Sequence, residues 1–183
     1  MKTYYATDAF DKHVADYEAW YDAYPEVYAS ELNAVRAHFE RLPEDIRGIE
    51  VGLGTGRFSA PPYGDMQFDF VLFVTVCHLQ SLKYAFREAH RVLKPNGLII
   101  VGFLPKDRPV AHGYQERREF STFYREAVFY TPEEIGKLLS ETGFKSLEFN
   151  QVLFGPLENI KEPQEPKPGS GKGSFVVVSA FKG

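Results

Sequence analysis

Gly48-Ile49-Glu50-Val51-Gly52-Leu53-Gly54-Thr55-Gly56-Arg57-Phe58 is the stretch whose reading decides the fold. A short apolar strand running into three alternate glycines lets the main chain come within van der Waals range of a flat or extended ligand, because a Cβ there would block the approach. The spacing argues against a dinucleotide. A G-x-G-x-x-G fingerprint needs its third glycine at position 57, where this chain has Arg57. Glu50, two residues ahead of Gly52, sits badly against a pyrophosphate and suits a cationic or hydroxyl-bearing ligand instead.

Two further blocks follow in order: Gln67-Phe68-Asp69-Phe70-Val71-Leu72-Phe73, and Ala85 to Gly102 (AFREAHRVLKPNGLIIVG). Together with Glu50 to Gly56 they resemble the class I S-adenosylmethionine-dependent methyltransferases of the small-molecule branch. The resemblance implies an α/β fold: a three-layer Rossmann-like sheet, mostly parallel with an antiparallel C-terminal strand, under an N-terminal helical cap. It also implies methyl transfer from S-adenosyl-L-methionine to a small-molecule acceptor, with no metal required. On that resemblance Gly52, Gly54 and Gly56 admit the cofactor, Glu50 holds the amino group of its methionine part, and Thr55 and Thr75 supply polar contacts. Tyr17, Tyr21 or Tyr28 of the cap would face the sulfonium, where an aromatic face favours positive charge by about 0.5 to 2 kcal/mol. No catalytic residue is assigned: an alcohol or phenol acceptor needs a general base, whereas an amine or thiol can do without.

Composition narrows the partners. The chain has 183 residues, 44% hydrophobic and 25% charged, enough for one domain with a substantial core, read as a cap over 1–43 and a Rossmann-like core over 44–183. Net charge is −4 with no run of Lys or Arg, which supports neither a nucleic-acid nor a membrane partner; a homodimer stays open. A single cysteine, Cys77, excludes an internal disulfide and a cysteine-based zinc site, and with no apparent signal sequence the expectation is a cytoplasmic protein.

Along the chain, residues 8–24 and 25–42 read as two helices, the second with Tyr28, Leu32, Val35 and Phe39 as its apolar stripe. After the glycines a segment is missing. The family continues through a helix, a second strand ending in a ribose-binding acid, another helix and a third strand. Here only Arg57 to Gln67 intervene, and Asp69 opens a strand at the wrong end of the sheet to take that acid's place. Either the chain lacks the segment or the sequence joins two pieces across it; the intact lead-in Pro62-Tyr63-Gly64-Asp65 favours the second. Loss of the segment would instead favour a degenerate, non-catalytic binding or assembly protein, with the first strand left as a sheet edge.

Phe70 to Val76 reads as a buried parallel strand whose carboxyl end offers Phe73, Thr75, Cys77 and His78 to a ligand, with Cys77 more simply a small buried hydrophobe. Ser81 caps a helix with an apolar stripe, a turn follows at Lys94-Pro95-Asn96-Gly97, and Leu98 to Phe103 is a second buried strand. In the irregular stretch after Leu104, the residues His112, Tyr114, Glu116, Arg117 and Arg118 read first as a solvated face. Thr131-Pro132-Glu133-Glu134 is a capping box, 146–154 and 174–181 are strands, and 155–173 between them is expected to be a mobile surface loop.

Overall fold

The computed structural model describes residues 14–51, 63–79, 81–125 and 127–183, with Val14, Asp16, Tyr17 and His78 described in their backbone alone. Gly52, Gly54, Thr55 and Gly56 lie outside the described residues, as does the join before Tyr63. Among the described residues six strands form one open sheet: β1 (Gly48–Val51), β2 (Phe68–Val74), β3 (Leu93–Phe103), β4 (Phe144–Val152), β5 (Lys167–Pro168) and β6 (Phe175–Lys182), ordered β1-β2-β3-β6-β4-β5. Strands β1, β2 and β3 are parallel, while β6 runs antiparallel between β3 and β4. The helices are α1 (Val14–Ala23), α2 (Pro25–Phe39), α3 (Leu82–Val92), α4 (Pro109–Glu116) and α5 (Pro132–Glu141).

Alternation along the strands sends side chains to two separate cores. On one face Val71, Phe73, Ile99, Val101, Val176 and Val178 pack under Leu82, Phe86, Ala89 and Val92 of α3 and Ile135 and Leu139 of α5. On the other, Leu98, Ile100 and Val177 pack under Val27, Ala34 and Val35 of α2. This is the expected three-layer α/β arrangement, and each fully buried aliphatic or Phe side chain contributes about 1.5 to 3 kcal/mol. Local signals agree: the Ser81 side chain accepts from the Tyr84 amide, and both halves of the Thr131–Glu134 capping box form, at 3.2 and 2.7 Å.

Gly48 is required for a steric reason. A Cβ there would stand 2.0 Å from Cζ of Phe70, whose ring crosses β1 to meet Phe39 edge-on at 4.8 Å. Asp69 sits at the amino end of β2 as expected, accepting from the Arg47 amide at 2.9 Å and pairing with Lys94 at 2.8 Å. These contacts lower its pKa, chiefly through the Lys94 hydrogen bond, and leave it no part in ligand binding at the opposite end.

Three expectations need correction. The buried stripe of α2 is Val27, Ser30, Ala34, Val35 and His38, rotated from the one chosen by hydrophobicity, and Tyr28 is 43% exposed. Small and polar residues make this contact because they let the helix lie close to the sheet and bond across it. Asn150 Nδ2 donates to the Ala34 carbonyl at 2.9 Å, the Gln164 amide donates to Ser30 Oγ at 2.8 Å, and His38 Nδ1 lies 2.7 Å from Ser179 Oγ. Second, the 155–173 segment is fixed to the fold. Gln151 Oε1 accepts from the amides of Lys172 and Gly173 at 2.7 Å, Ile160 is buried, and β5 pairs with β4. Third, residues 93–97 are part of β3, with Asn96 at φ 59 absorbing the irregularity expected as a separate turn.

Candidate functional site

In an open α/β sheet a ligand binds beyond the carboxyl ends of the parallel strands. Ile49 and Val51 of β1 face the α3 core, so Glu50 between them faces the α2 side, opposite Leu72 of β2. Its side chain is exposed and has no hydrogen-bond or ion-pair partner among the described residues, and the desolvation that remains next to the strand raises its pKa above the ordinary 4.5. It is an acid held at the end of the first strand with its charge uncompensated.

At the end of β2, Thr75 adopts φ 58 and ψ 54, held by its amide's bond to the Gly102 carbonyl at 3.0 Å. A β-branched residue in the left-handed region costs about 1 to 3 kcal/mol, and such strain gathers at ligand sites. Val76–His78 then form one turn of 3-10 helix over the strand ends. Cys77 is packed with Ala111, Ala127 and Phe129, and burial pushes its thiol up to about 12, which makes it the inert small hydrophobe expected.

Other expected site residues fall elsewhere. The Phe73 ring is 1% exposed and meets Phe86 edge-on at 5.6 Å within the α3-side core, so its side chain is structural and only its backbone reaches toward the strand ends. Tyr28 is on the outer surface of α2, edge-on to Tyr21 at 4.9 Å. The Tyr17 side chain lies outside the described residues. His112, Glu116, Arg117 and Arg118 are exposed, and both arginines donate to nearby carbonyls, of Gly113 and Arg125, as a solvated face does.

Structure adds two groups. Tyr114 is half-buried and stacked on Tyr124 at 4.1 Å, against the small cluster of Cys77, Ala111, Ala127 and Phe129. Glu31 on α2 acts electrostatically on Tyr114, is itself only partly exposed, and is pushed up by burial to about 8.

A cleft lies on the opposite face between β1, β2 and α3, lined by Ile49, Val51, Val71, Phe73 and Ala89 among others. Its one acid, Glu88, is already paired with Arg91 at 2.9 Å, so it suits apolar packing rather than a charged cofactor. His38 and Ser179 do not form a nucleophile pair: Arg41 also donates to Ser179 Oγ at 3.0 Å, and the serine is fully buried in the middle of β6. Among the described residues no group of three or more His, Cys, Asp or Glu is disposed to hold a metal, and no helix is long and apolar enough to cross a membrane.

Comparison with known proteins bears on these positions. A family profile described as "Methyltransferase domain" matches residues 14–101. The crystal structure of a SAM-dependent methyltransferase from Thermotoga maritima, described as a possible histamine N-methyltransferase, superposes with a TM-score of 0.87 at 31% identity, over 98% of this chain and all of that one. This chain belongs to the S-adenosylmethionine-dependent methyltransferases. An uncharacterized protein of Methanocaldococcus jannaschii is 32% identical over 96% of the methyltransferase chain described here and 99% of its own length. That match runs over 208 positions against the 183 residues here, so the relative carries residues without a counterpart in this chain. An uncharacterized protein of Mycobacterium tuberculosis is 29% identical over 82% of this chain and 65% of its own. A SAM-dependent methyltransferase from Archaeoglobus fulgidus shares the fold alone, at a TM-score of 0.60 and 11% identity.

Among the described residues, the chemistry of one group suits the family's cofactor. S-adenosylmethionine presents an ammonium and a sulfonium, and the exposed carboxylate of Glu50 at the first strand's end, unpaired among the described residues, has the charge to meet such a cation.

Proposed function

We propose that this methyltransferase-family chain binds S-adenosyl-L-methionine at the carboxyl ends of β1 and β2 and transfers its methyl group to a small-molecule acceptor. The observation that carries the reading is Glu50, unpaired among the described residues and leading directly into Gly52, Gly54 and Gly56. The cofactor supplies a methyl group activated by its positive sulfur. The protein's own contribution is alignment: Glu50 fixes the ammonium end, Thr55 and Thr75 offer polar contacts, and the glycines admit the cofactor to the backbone. Holding two reactants in line can be worth several kcal/mol, about 7 to 11 in favourable intramolecular cases. The description of the Thermotoga maritima relative supports an amine among the candidate acceptors.

One observation favours the second reading, a fold retained for binding or assembly: among the described residues the outer edge of β1 pairs with no strand. Incubation with methyl-labelled S-adenosylmethionine and pooled amines, phenols and thiols separates the two. Label transferred to an acceptor supports the enzyme, whereas label that stays on the cofactor with every pool supports assembly.

A further inference from the structure

Four polar side chains meet where the later half of α2 lies on the sheet: His38 of α2, Arg41 just beyond it, Ser179 of β6 and Asn150 of β4. Their proton inventory fixes which atom of each one donates. A guanidinium can only donate, so Arg41 Nη1, 3.0 Å from Ser179 Oγ, takes up one lone pair of that oxygen. Ser179 is fully buried, and the acceptor that the described residues offer its hydroxyl proton is His38 Nδ1, at 2.7 Å. The serine therefore donates, Nδ1 accepts, and the proton of the neutral imidazole is on Nε2. The amide of Asn150 is oriented as strictly. Its Nδ2 donates to the Ala34 carbonyl at 2.9 Å, which leaves Oδ1 as an acceptor.

Two buried atoms of this group are then left without a bond, His38 Nε2 and Asn150 Oδ1, one a donor and the other an acceptor. Leaving both unmet inside a protein is costly, and neither is within reach of solvent. The sheet brings them together. Ser179 stands opposite Glu148 and Val177 opposite Asn150, so Asn150 is the diagonal neighbour of Ser179 beneath α2, about 7 to 8 Å away between backbones. An imidazole bonded to Ser179 through Nδ1, one helical turn beyond the Ala34 carbonyl that Asn150 holds, lies over that diagonal with Nε2 toward the amide. In agreement, Asn150 acts on His38 as a hydrogen-bonding neighbour that favours its protonated form, an effect only an acceptor has.

We propose that Arg41, Ser179, His38 and Asn150 donate in that order, ending on the Ala34 carbonyl, with the imidazole proton on Nε2, and that this one-way chain is an acid-opened latch between α2 and the sheet. Bonds running head to tail strengthen one another. The chain starts and finishes on the α2 segment and crosses β6 and β4 on the way, so it straps the helix to two strands at once. Acid opens it at Ser179. Two charges bear on the ring, those of Arg41 and Glu148, which pair with each other at 2.8 Å; the other groups facing it, Ser179, Asn150 and the Val177 carbonyl, are uncharged. Once Nδ1 takes a proton, His38 and Arg41 both donate to one hydroxyl oxygen, two like charges converge on it, and the Ser179 proton loses its acceptor. The Nε2 link to Asn150 survives that step, so the break falls on the β6 side.

The test is nitrogen-15 NMR on the full chain labelled at histidine, with His38 identified by the signals lost in His38→Gln. At roughly neutral pH, above the ordinary 6.5 of a histidine, His38 shows a single tautomer, protonated on Nε2 and bare on Nδ1, with a ring N–H slow enough in exchange to be seen directly. A proton on Nδ1, or an average of the two forms, overturns the chain. Asn150→Asp sets a carboxylate against the Nε2–H and raises the titration midpoint of His38 by about one pH unit or more. Arg41→Met withdraws the cation that competes for Ser179 and raises the midpoint as well. A midpoint that neither variant moves means that the ring does not face these groups, and overturns the proposal. Hydrogen exchange between pH 6.5 and about 4 reads the latch itself: the amides of α2 lose protection ahead of those of α5, which packs on the other face of the sheet. Equal loss in both helices would mean that acid unfolds the whole domain instead of opening one strap, and would overturn the latch. These readouts need no cofactor, so they stand apart from the methyl-transfer reading.

Discussion

Acidification should loosen the attachment of α2 to the sheet, and His38 sets the range in which it does so. His38 is 4% exposed, and burial, with Arg41 nearby, pushes its pKa from the ordinary 6.5 down to about 4. The neutral ring is therefore the folded form, holding Ser179 Oγ through Nδ1 at 2.7 Å. Above pH 6.5 both folded and unfolded chains carry neutral His38, and stability is complete. Between 6.5 and 4 the unfolded chain binds a proton that the folded one refuses, so stability falls as the pH falls. At about 1.4 kcal/mol for each pH unit, the loss on reaching pH 4 is on the order of 3 kcal/mol. Urea unfolding of the parent and of His38→Gln at half-unit steps from pH 7.5 to 4 measures it. The difference between the two proteins should be flat above 6.5 and should narrow below it, because glutamine does not titrate. Parallel curves over the whole range would refute the argument that burial keeps His38 neutral.

Further predictions concern the sheet and its ends. Gly48→Val drives a branched side chain into the Phe70 ring, and denaturant unfolding should show a loss of about 1 to 3 kcal/mol, the usual range for overpacking. Thr75→Gly relieves a left-handed threonine and should raise stability by roughly 1 kcal/mol while weakening S-adenosylhomocysteine binding, a split between melting temperature and affinity that a purely structural turn would not give. Thr131→Ala removes one half of a capping box and should cost about 0.5 to 2 kcal/mol by the same unfolding assay, with no change in ligand affinity. Lys94→Met breaks an exposed pair with Asp69 and should change stability by less than about 1 kcal/mol, less still in high salt.

Where side-chain chemistry and local geometry coincide, the sequence was enough. Phe70 to Val74 and Leu98 to Phe103 are continuous apolar runs, and a strand covered on both faces has no other pattern available. The capping box at Thr131 and the placement of Asp69 at the amino end of β2 were legible for the same reason. Hydrophobicity misled at α2, where Ser30, Ala34 and His38 approach the sheet by being small or by hydrogen bonding, which no apolar stripe records. Composition misled at 155–173: Gln151 satisfies two backbone amides there, and a long-range side-chain clamp leaves no mark in the segment it orders. Of the residues proposed for the site, the sequence places Glu50 near the end of β1 and Thr75 just after β2, where they stand, but Phe73 could not be told from a core residue without knowing which way β2 faces.

The most direct test is the affinity of S-adenosylhomocysteine for the full chain and for Glu50→Gln, measured by calorimetry beside NAD. The account predicts one-to-one binding to the parent and no heat with NAD. It also predicts a loss of about 1.5 to 3 kcal/mol in the variant, the worth of a hydrogen bond to a charged group. Absence of S-adenosylhomocysteine binding by the parent, or equal affinity in Glu50→Gln, would contradict the claim that the acid at the end of β1 anchors the cofactor.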